Sequence, residues 1–273
     1  MKHVITTISI LAILSILAFT VPAFAHFQMI YTPEAALEKG GKIPLALVFT
    51  HPFEAGHTMD MGTPEQFFVV RSRGENEPTR TDLLSTLKPI NWTSLTNSGK
   101  AYETEYTARG GDHVFGLVPA PYFEAGEDAY IQQSTKVIVN VGGEPGAWME
   151  PVGLDCEIVP LCKPYDRWTG NVFQGKILFK GKPVPNAEIE IEFMNHKPLL
   201  DKKAFAKEAA AVAPQDAFVL QTIFADDNGV FTFGIPKAGW WGFAALGLDP
   251  EGSYKGKACS RDAVIWIKAV DMK

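Results

Sequence analysis

Cysteine is scarce in this chain. Only Cys156, Cys162 and Cys259 occur among 273 residues, and no C-x-x-C spacing is present. That removes the usual sequence form of a cysteine metal cage. The sequence also lacks a G-x-S-x-G elbow, an H-E-x-x-H pair and a phosphate-cradling glycine loop, so we expect no enzyme. Basic charge is in deficit: 25 Lys and Arg stand against 31 Asp and Glu, a formal net charge of -6. There is no electrostatic case for nucleic acid. Past residue 25 no apolar run is long enough to cross a bilayer, and no low-complexity tract or clear internal repeat occurs.

One long apolar run does exist, at the start. Met1-Lys2-His3 is a short basic opening, residues 5–21 are mostly apolar, and Pro22 precedes Ala23-Phe24-Ala25. This reads as a cleavable export leader over 1–25, with the cut between Ala25 and His26. The run is also long enough for an uncleaved anchor; helix-breaking Pro22 and the small residues around Phe24 favour cleavage. The mature chain would then be periplasmic or secreted and begin with histidine, whose α-amine and imidazole together can chelate one metal ion. An oxidising compartment permits a Cys156–Cys162 bridge, which would need a local chain reversal.

The remainder has the content of an ordinary globular protein, 46% hydrophobic and 21% charged, and its length suits two modest domains. Strand signals dominate. Segments 42–50, 66–71, 101–106, 113–118 and 135–141 are apolar and β-prone, separated by Gly40-Gly41, Gly110-Gly111-Asp112 and Gly142-Gly143. Regular turns between short strands indicate a sandwich. A second block alternates over 171–179 and 187–193. In the latter, Ile189, Ile191 and Phe193 face one way and Glu188, Glu190 and Glu192 the other, as in a half-buried strand. Segment 201–213 is Lys- and Ala-rich and reads as a helix or a mobile insertion. We therefore expect an all-β chain: one β-sandwich over 26–160, a linker within 151–169, and a second sandwich over 168–270. The stretch Gly181-Lys-Pro-Val-Pro-Asn-Ala-Glu-Ile-Glu-Ile191, with Asp226-Asp-Asn-Gly-Val-Phe-Thr-Phe233 after it, resembles the transthyretin-like or carboxypeptidase-regulatory (Ig-like) modules. That resemblance speaks to fold and hardly to function.

The chemically richest segment is His51-Pro-Phe-Glu-Ala-Gly-His57-Thr-Met59-Asp60-Met61, just after a strand, where a rigid sheet can aim side chains. Imidazole suits nickel, copper, cobalt and zinc; thioether suits copper(I). Pro52 and Gly56 allow the turn that two histidines six residues apart require. His26, His51 and His57 form the candidate metal set. Met59 and Met61 read as core or lid residues, and Glu54 and Asp60 as solvated. His113 is a fourth candidate, on a strand face with Phe115 and Leu117. His196 sits in a turn and reads as a surface residue. Glu124, Glu127 and Asp128, between Tyr122 and Tyr130, read as a solvated or recognition loop rather than a carboxylate pair. Trp240-Trp241 reads as inter-domain glue or a partner surface.

Several phrases together resemble one family. They are Ala25-His26-Phe-Gln-Met29, the 51–61 segment, Gly111-Asp-His-Val-Phe115, the 130–143 stretch, Pro160-Leu-Cys-Lys-Pro-Tyr165, Gly170-Asn-Val-Phe-Gln-Gly175 and Ala238-Gly-Trp-Trp-Gly-Phe243. The chain resembles the DUF4198 family, exported proteins described as periplasmic components of nickel or cobalt uptake transporters. The resemblance implies a non-catalytic accessory protein that binds Ni(II), or Co(II) or Cu(II), and delivers it to a membrane permease of the energy-coupling type. It implies His26, His51 and His57 as ligands. Two other readings stay open: a copper oxidoreductase built on a histidine brace at His26, and an adhesion or interaction protein that binds no metal.

Overall fold

The computed structural model describes residues 26–273. The expected leader, residues 1–25, lies outside the described residues. No helix among the described residues is long and apolar enough to cross a membrane. The described residues are all-β, with two short 3-10 turns. Its first half holds β1 (Phe27–Tyr31), β2 (Ala36–Leu37), β3 (Gly41–Thr50), β4 (Gln66–Ser72), β5 (Thr79–Asp82), β6 (Lys88–Thr93), β7 (Ser98–Ala108), β8 (Gly111–Val118), β9 (Tyr122–Glu124) and β10 (Ala129–Val141). Its second half holds β11 (Cys156–Pro160), β12 (Arg167–Trp168), β13 (Val172–Phe179), β14 (Lys182–Pro183), β15 (Glu188–Phe193), β16 (His196–Leu199), β17 (Ala204–Ala209), β18 (Leu220–Phe224), β19 (Val230–Gly234), β20 (Gly239–Ala245), β21 (Ser253–Tyr254) and β22 (Lys257–Val270).

Three sheets stack as sandwiches around a shared layer. The middle sheet runs β18-β15-β20-β22-β10-β8-β4-β5, with short β2, β9, β12 and β21 beside it. A six-stranded sheet, β1-β3-β7-β6-β17-β16, covers one face, and a four-stranded sheet of β11, β13, β14 and β19 covers part of the other. Side-chain alternation explains the layering. On β22, Val264 and Trp266 enter a core with Phe27, Met29, Leu45 and Trp92. Their neighbours Ala263, Ile265 and Ile267 enter a second core with Ile158, Phe173, Ile177 and Phe231. A strand that is apolar on both faces must be covered on both. Gly242 on β20 makes room for this: an added Cβ would lie 2.8 Å from the Trp266 ring and 3.0 Å from Phe27.

The expected division at 151–169 takes a different form. β10 and β22 pair in parallel from Tyr130 opposite Cys259 to Val137 opposite Trp266, so one sheet runs through both halves. Residues 156–160, expected at the end of the first unit, form fully buried β11 and pair with β13 in the second sandwich. A buried ion pair, Lys136 Nζ to Glu157 Oε1 at 2.8 Å, ties β11 to β10, and Val152 and Leu154 donate their N–H groups to the same carboxylate. Segment 201–213 is neither a helix nor a loose insertion. It contains β17, which joins the first half's sheet where Ala204 pairs with Thr93. Phe205 is buried with its ring 5.5 Å from Trp92. Burying one aromatic ring outweighs the modest helix preference of Ala and Lys. His196 is likewise buried rather than on the surface, its Nδ1 2.9 Å from the Ala206 carbonyl. All three cysteines are free thiols.

Candidate metal site at the ends of β1 and β3

Strands β1 and β3 are antiparallel, with Phe27 opposite Thr50. One step further along this register sets His26 opposite His51. Directly opposed residues have Cβ atoms about 4.5–5.5 Å apart, and the two imidazole centroids are 4.6 Å apart. The chain then folds back on itself. Gly56 donates its N–H to the His51 carbonyl at 3.2 Å, and Thr58 forms a bridge with Thr50. This return brings His57 beside the pair, close enough to disfavour the charged form of His26. Ala55 closes the turn with φ of 44°, the left-handed region.

The 51–57 turn is held from two sides. From the first half, Leu95 donates its N–H to the Ala55 carbonyl at 2.9 Å, and Asn97 exchanges hydrogen bonds with the Thr58 backbone at 2.8 and 2.9 Å. From the second half, Glu192 on β15 accepts the Phe53 N–H at 2.6 Å, and Asn195 donates its N–H to the Pro52 carbonyl at 3.3 Å. Glu192 is only 2% exposed. Burial pushes its carboxyl well above the usual carboxylate range, the Phe53 N–H opposes this, and the Glu54 and Glu190 charges add to it.

A carboxylate completes the neighbourhood. Glu124 on β9 places Oε2 3.2 Å from His26 Nε2. Phe49 and Tyr122 flank the same imidazole with centroids at 5.6 and 6.2 Å. Burial holds the His26 imidazole below its ordinary pKa, the Glu124 charge pulls the other way, and His57 adds to the depression. His51 is 8% exposed, while His57 is exposed to solvent. Among the described residues, no group of three or more His, Cys, Asp or Glu side chains is already closed into a metal cage. The arrangement is two facing imidazoles, a carboxylate on one of them and a third, solvent-facing imidazole alongside.

His113 is placed elsewhere. It is fully buried in β8, its Nε2 lies 2.7 Å from the Arg109 carbonyl, and its ring packs edge-on to Tyr106. Pro119, which lines the recess beside Phe49 and Tyr122, is six residues further along the chain, roughly 20 Å at the strand rise. Met59 and Met61 are core residues, and Met61 Sδ accepts from Gln28 Nε2 at 3.6 Å. Asp60 is engaged rather than simply solvated, accepting the Lys100 N–H at 2.6 Å. Glu124, the residue that meets His26, reads from sequence as part of a solvated loop. No local signal marks it: the β9–β10 hairpin pairs Glu124 with Ala129, and only the fold brings its carboxylate to His26.

No curated protein matches the chain. Among solved structures, it is similar to the D0-D1 domain of intimin, with 12% identity, 89% of this chain and 100% of that one covered, and a TM-score of 0.20. It is also similar to the adhesin InvE of Yersinia pseudotuberculosis, with 13% identity, 88% and 58% covered, and a TM-score of 0.24. A chimeric titin Z1Z2 gives 8% identity, 91% and 98% covered, and a TM-score of 0.21. At these scores the similarities carry no functional argument. The sequence itself matches the domain of unknown function DUF4198 over residues 23–249, most of its length and every histidine of the site, and the chain belongs to that family.

Proposed function

We propose that this protein is an exported, non-catalytic carrier of nickel or cobalt ions, which it delivers to a membrane uptake transporter. The observation that supports this reading is the approach of His26 and His51, at 4.6 Å between ring centroids, with His57 turned back beside them. Cleavage after Ala25 would add the His26 α-amine, making a nitrogen-rich set of the kind Ni(II) and Cu(II) favour. The ion is cargo, and a site left partly open by the exposed His57 suits release better than a closed cage does. His113 has no part in this set. The second sandwich acts as a strut that holds the 51–57 turn through Glu192 and Asn195.

The test is a titration of the mature, periplasm-processed protein with Ni(II), Co(II) and Cu(II), beside a variant with one extra alanine before His26 and a His51→Ala variant. The reading expects at least tenfold weaker Ni(II) binding in both variants. Binding no better than millimolar in the mature protein would leave an interaction role, and copper-dependent oxygen turnover would favour the histidine-brace oxidoreductase.

A further inference from the structure

The two nitrogens of the His26 ring have different surroundings, and the difference bears on how the residue can bind an ion. An α-amine and an imidazole on one residue can close a chelate ring only through Nδ1: amine nitrogen, Cα, Cβ, Cγ, Nδ1 and metal make a six-membered ring. Nε2 points away from its own backbone. To bind through Nδ1 the neutral ring must carry its proton on Nε2. Nε2 is the nitrogen that faces Glu124 Oε2, at 3.2 Å. A carboxylate oxygen this close to Nε2 repels a lone pair there and electrostatically favours the proton on that nitrogen. The other carboxylate oxygen is fixed as well, because Oε1 accepts the Gly126 N–H at 3.1 Å. Phe49 and Tyr122, in edge contact with each other at 5.4 Å, both pack near the ring.

We propose that Glu124 is a positioning residue: it keeps the His26 proton on Nε2 and so leaves Nδ1 as the lone-pair nitrogen that chelates with the α-amine. This rests on the metal-binding reading above. A carboxylate behind a ligating imidazole fixes its tautomer and raises its basicity, and losing it costs about 10–100-fold in affinity.

Two measurements test this. The first needs no metal: nitrogen-15 NMR of the histidine rings in the mature protein. The expected His26 tautomer carries hydrogen on Nε2, is retained in Glu124→Gln, whose amide oxygen can accept from Nε2–H, and is lost in Glu124→Ala. An Nδ1–H tautomer in the wild type overturns the proposal. The second is Ni(II) titration. Glu124→Ala is expected to bind about 10–100-fold more weakly, with most of the loss restored in Glu124→Gln. In the chain with an extra alanine before His26, Glu124→Ala should have little further effect, because the amine half of the chelate is already gone. Undiminished affinity in Glu124→Ala, or an equal loss in the extended chain, overturns the proposal. If the mature wild type binds no Ni(II), the metal reading itself fails, whereas the NMR result alone still decides whether Glu124 sets the tautomer.

Discussion

The two cores on either side of the shared sheet bury different chemistry. The core beneath the four-stranded sheet is built from Ile158, Phe173, Ile177, Ile189, Ile191, Phe243 and Ile265. The face toward the six-stranded sheet is as dry but admits Gln28, Thr50, Gln133, Glu192 and Asp262 at 5% exposure or less. Strand β15 shows the contrast within six residues: Ile189, Ile191 and Phe193 enter the first of these cores, and Glu188, Glu190 and Glu192 take the other face. Buried polar groups are costly unless paired, and here they are paired. Gln133 accepts the Gln28 N–H at 2.8 Å, Asp262 accepts from Gly247 and Ser260, and Glu192 accepts from Phe53. Around β15 and β22 one face therefore supplies mainly packing and the other carries the hydrogen bonds near the turn after His51, whereas further along β10 the four-stranded side also holds the paired Lys136 and Glu157.

The contrast can be broken most severely at the shared strand. Trp266→Ala removes a ring that packs against Phe27 and whose N–H is donated to the Gln28 carbonyl. A loss of about 3–5 kcal/mol is expected. Because β22 belongs to both cores, fluorescence and circular dichroism should report one coincident denaturant transition for the wild type. Two separated transitions would show that the halves fold independently despite the common sheet.

A smaller and more local effect is expected at Glu192. Glu192→Ala leaves the part-buried Phe53 N–H without its acceptor, at a cost of about 1 kcal/mol, and loosens the 51–57 turn. Glu192→Gln keeps an acceptor oxygen and should restore both stability and Ni(II) affinity. Equal affinity in all three proteins would show that the second sandwich does not support the site.

Glu190 sharpens the comparison through pH. Burial, with the Glu188, Asp262 and Glu127 charges, pushes its carboxyl up to about 7. An acid with a raised folded-state pKa contributes stability that is fully present below its unfolded value of about 4.3 and is lost as pH rises through 7. Glu190→Gln should therefore flatten the fall in melting temperature between pH 5 and pH 8. An unchanged slope would mean that Glu190 is solvated.

The mildest test concerns the thiols. Cys156, buried in the packing-dominated core with its pKa pushed up to about 12 mainly by burial, should resist alkylation at pH 8. Cys162, half-buried just past the end of β11, should be labelled first. Mass spectrometry after brief iodoacetamide treatment checks the order.

Much of this structure is legible in residue patterns. The expected strands at 42–50, 66–71 and 187–193 correspond to β3, β4 and β15 within one or two residues, because period-two alternation and glycine turns are local properties. The proximity of His51 and His57 is also legible, since Pro52 and Gly56 sit where a return must occur. What the pattern misreads depends on which strand meets which. Glu192 looks solvent-facing because alternation identifies a second face but not what covers it. His113 looks available because its partners, Tyr106 and Arg109, come from the preceding hairpin. Segment 201–213 looks helical because its one anchoring ring, Phe205, finds Trp92 more than a hundred positions away.

The sequence alone determined the strand-forming segments, the turns between them and the grouping of histidines near residue 26 and after residue 50. These follow from backbone sterics and side-chain periodicity, which act over a few residues. Only the tertiary structure decided that β10 and β22 join two sandwiches into one sheet, that Glu192 reaches the histidine turn, and that Glu124 rather than His113 faces His26. Those outcomes depend on strand pairing and burial between residues far apart in the chain, where the free energy of covering an apolar face selects the partner.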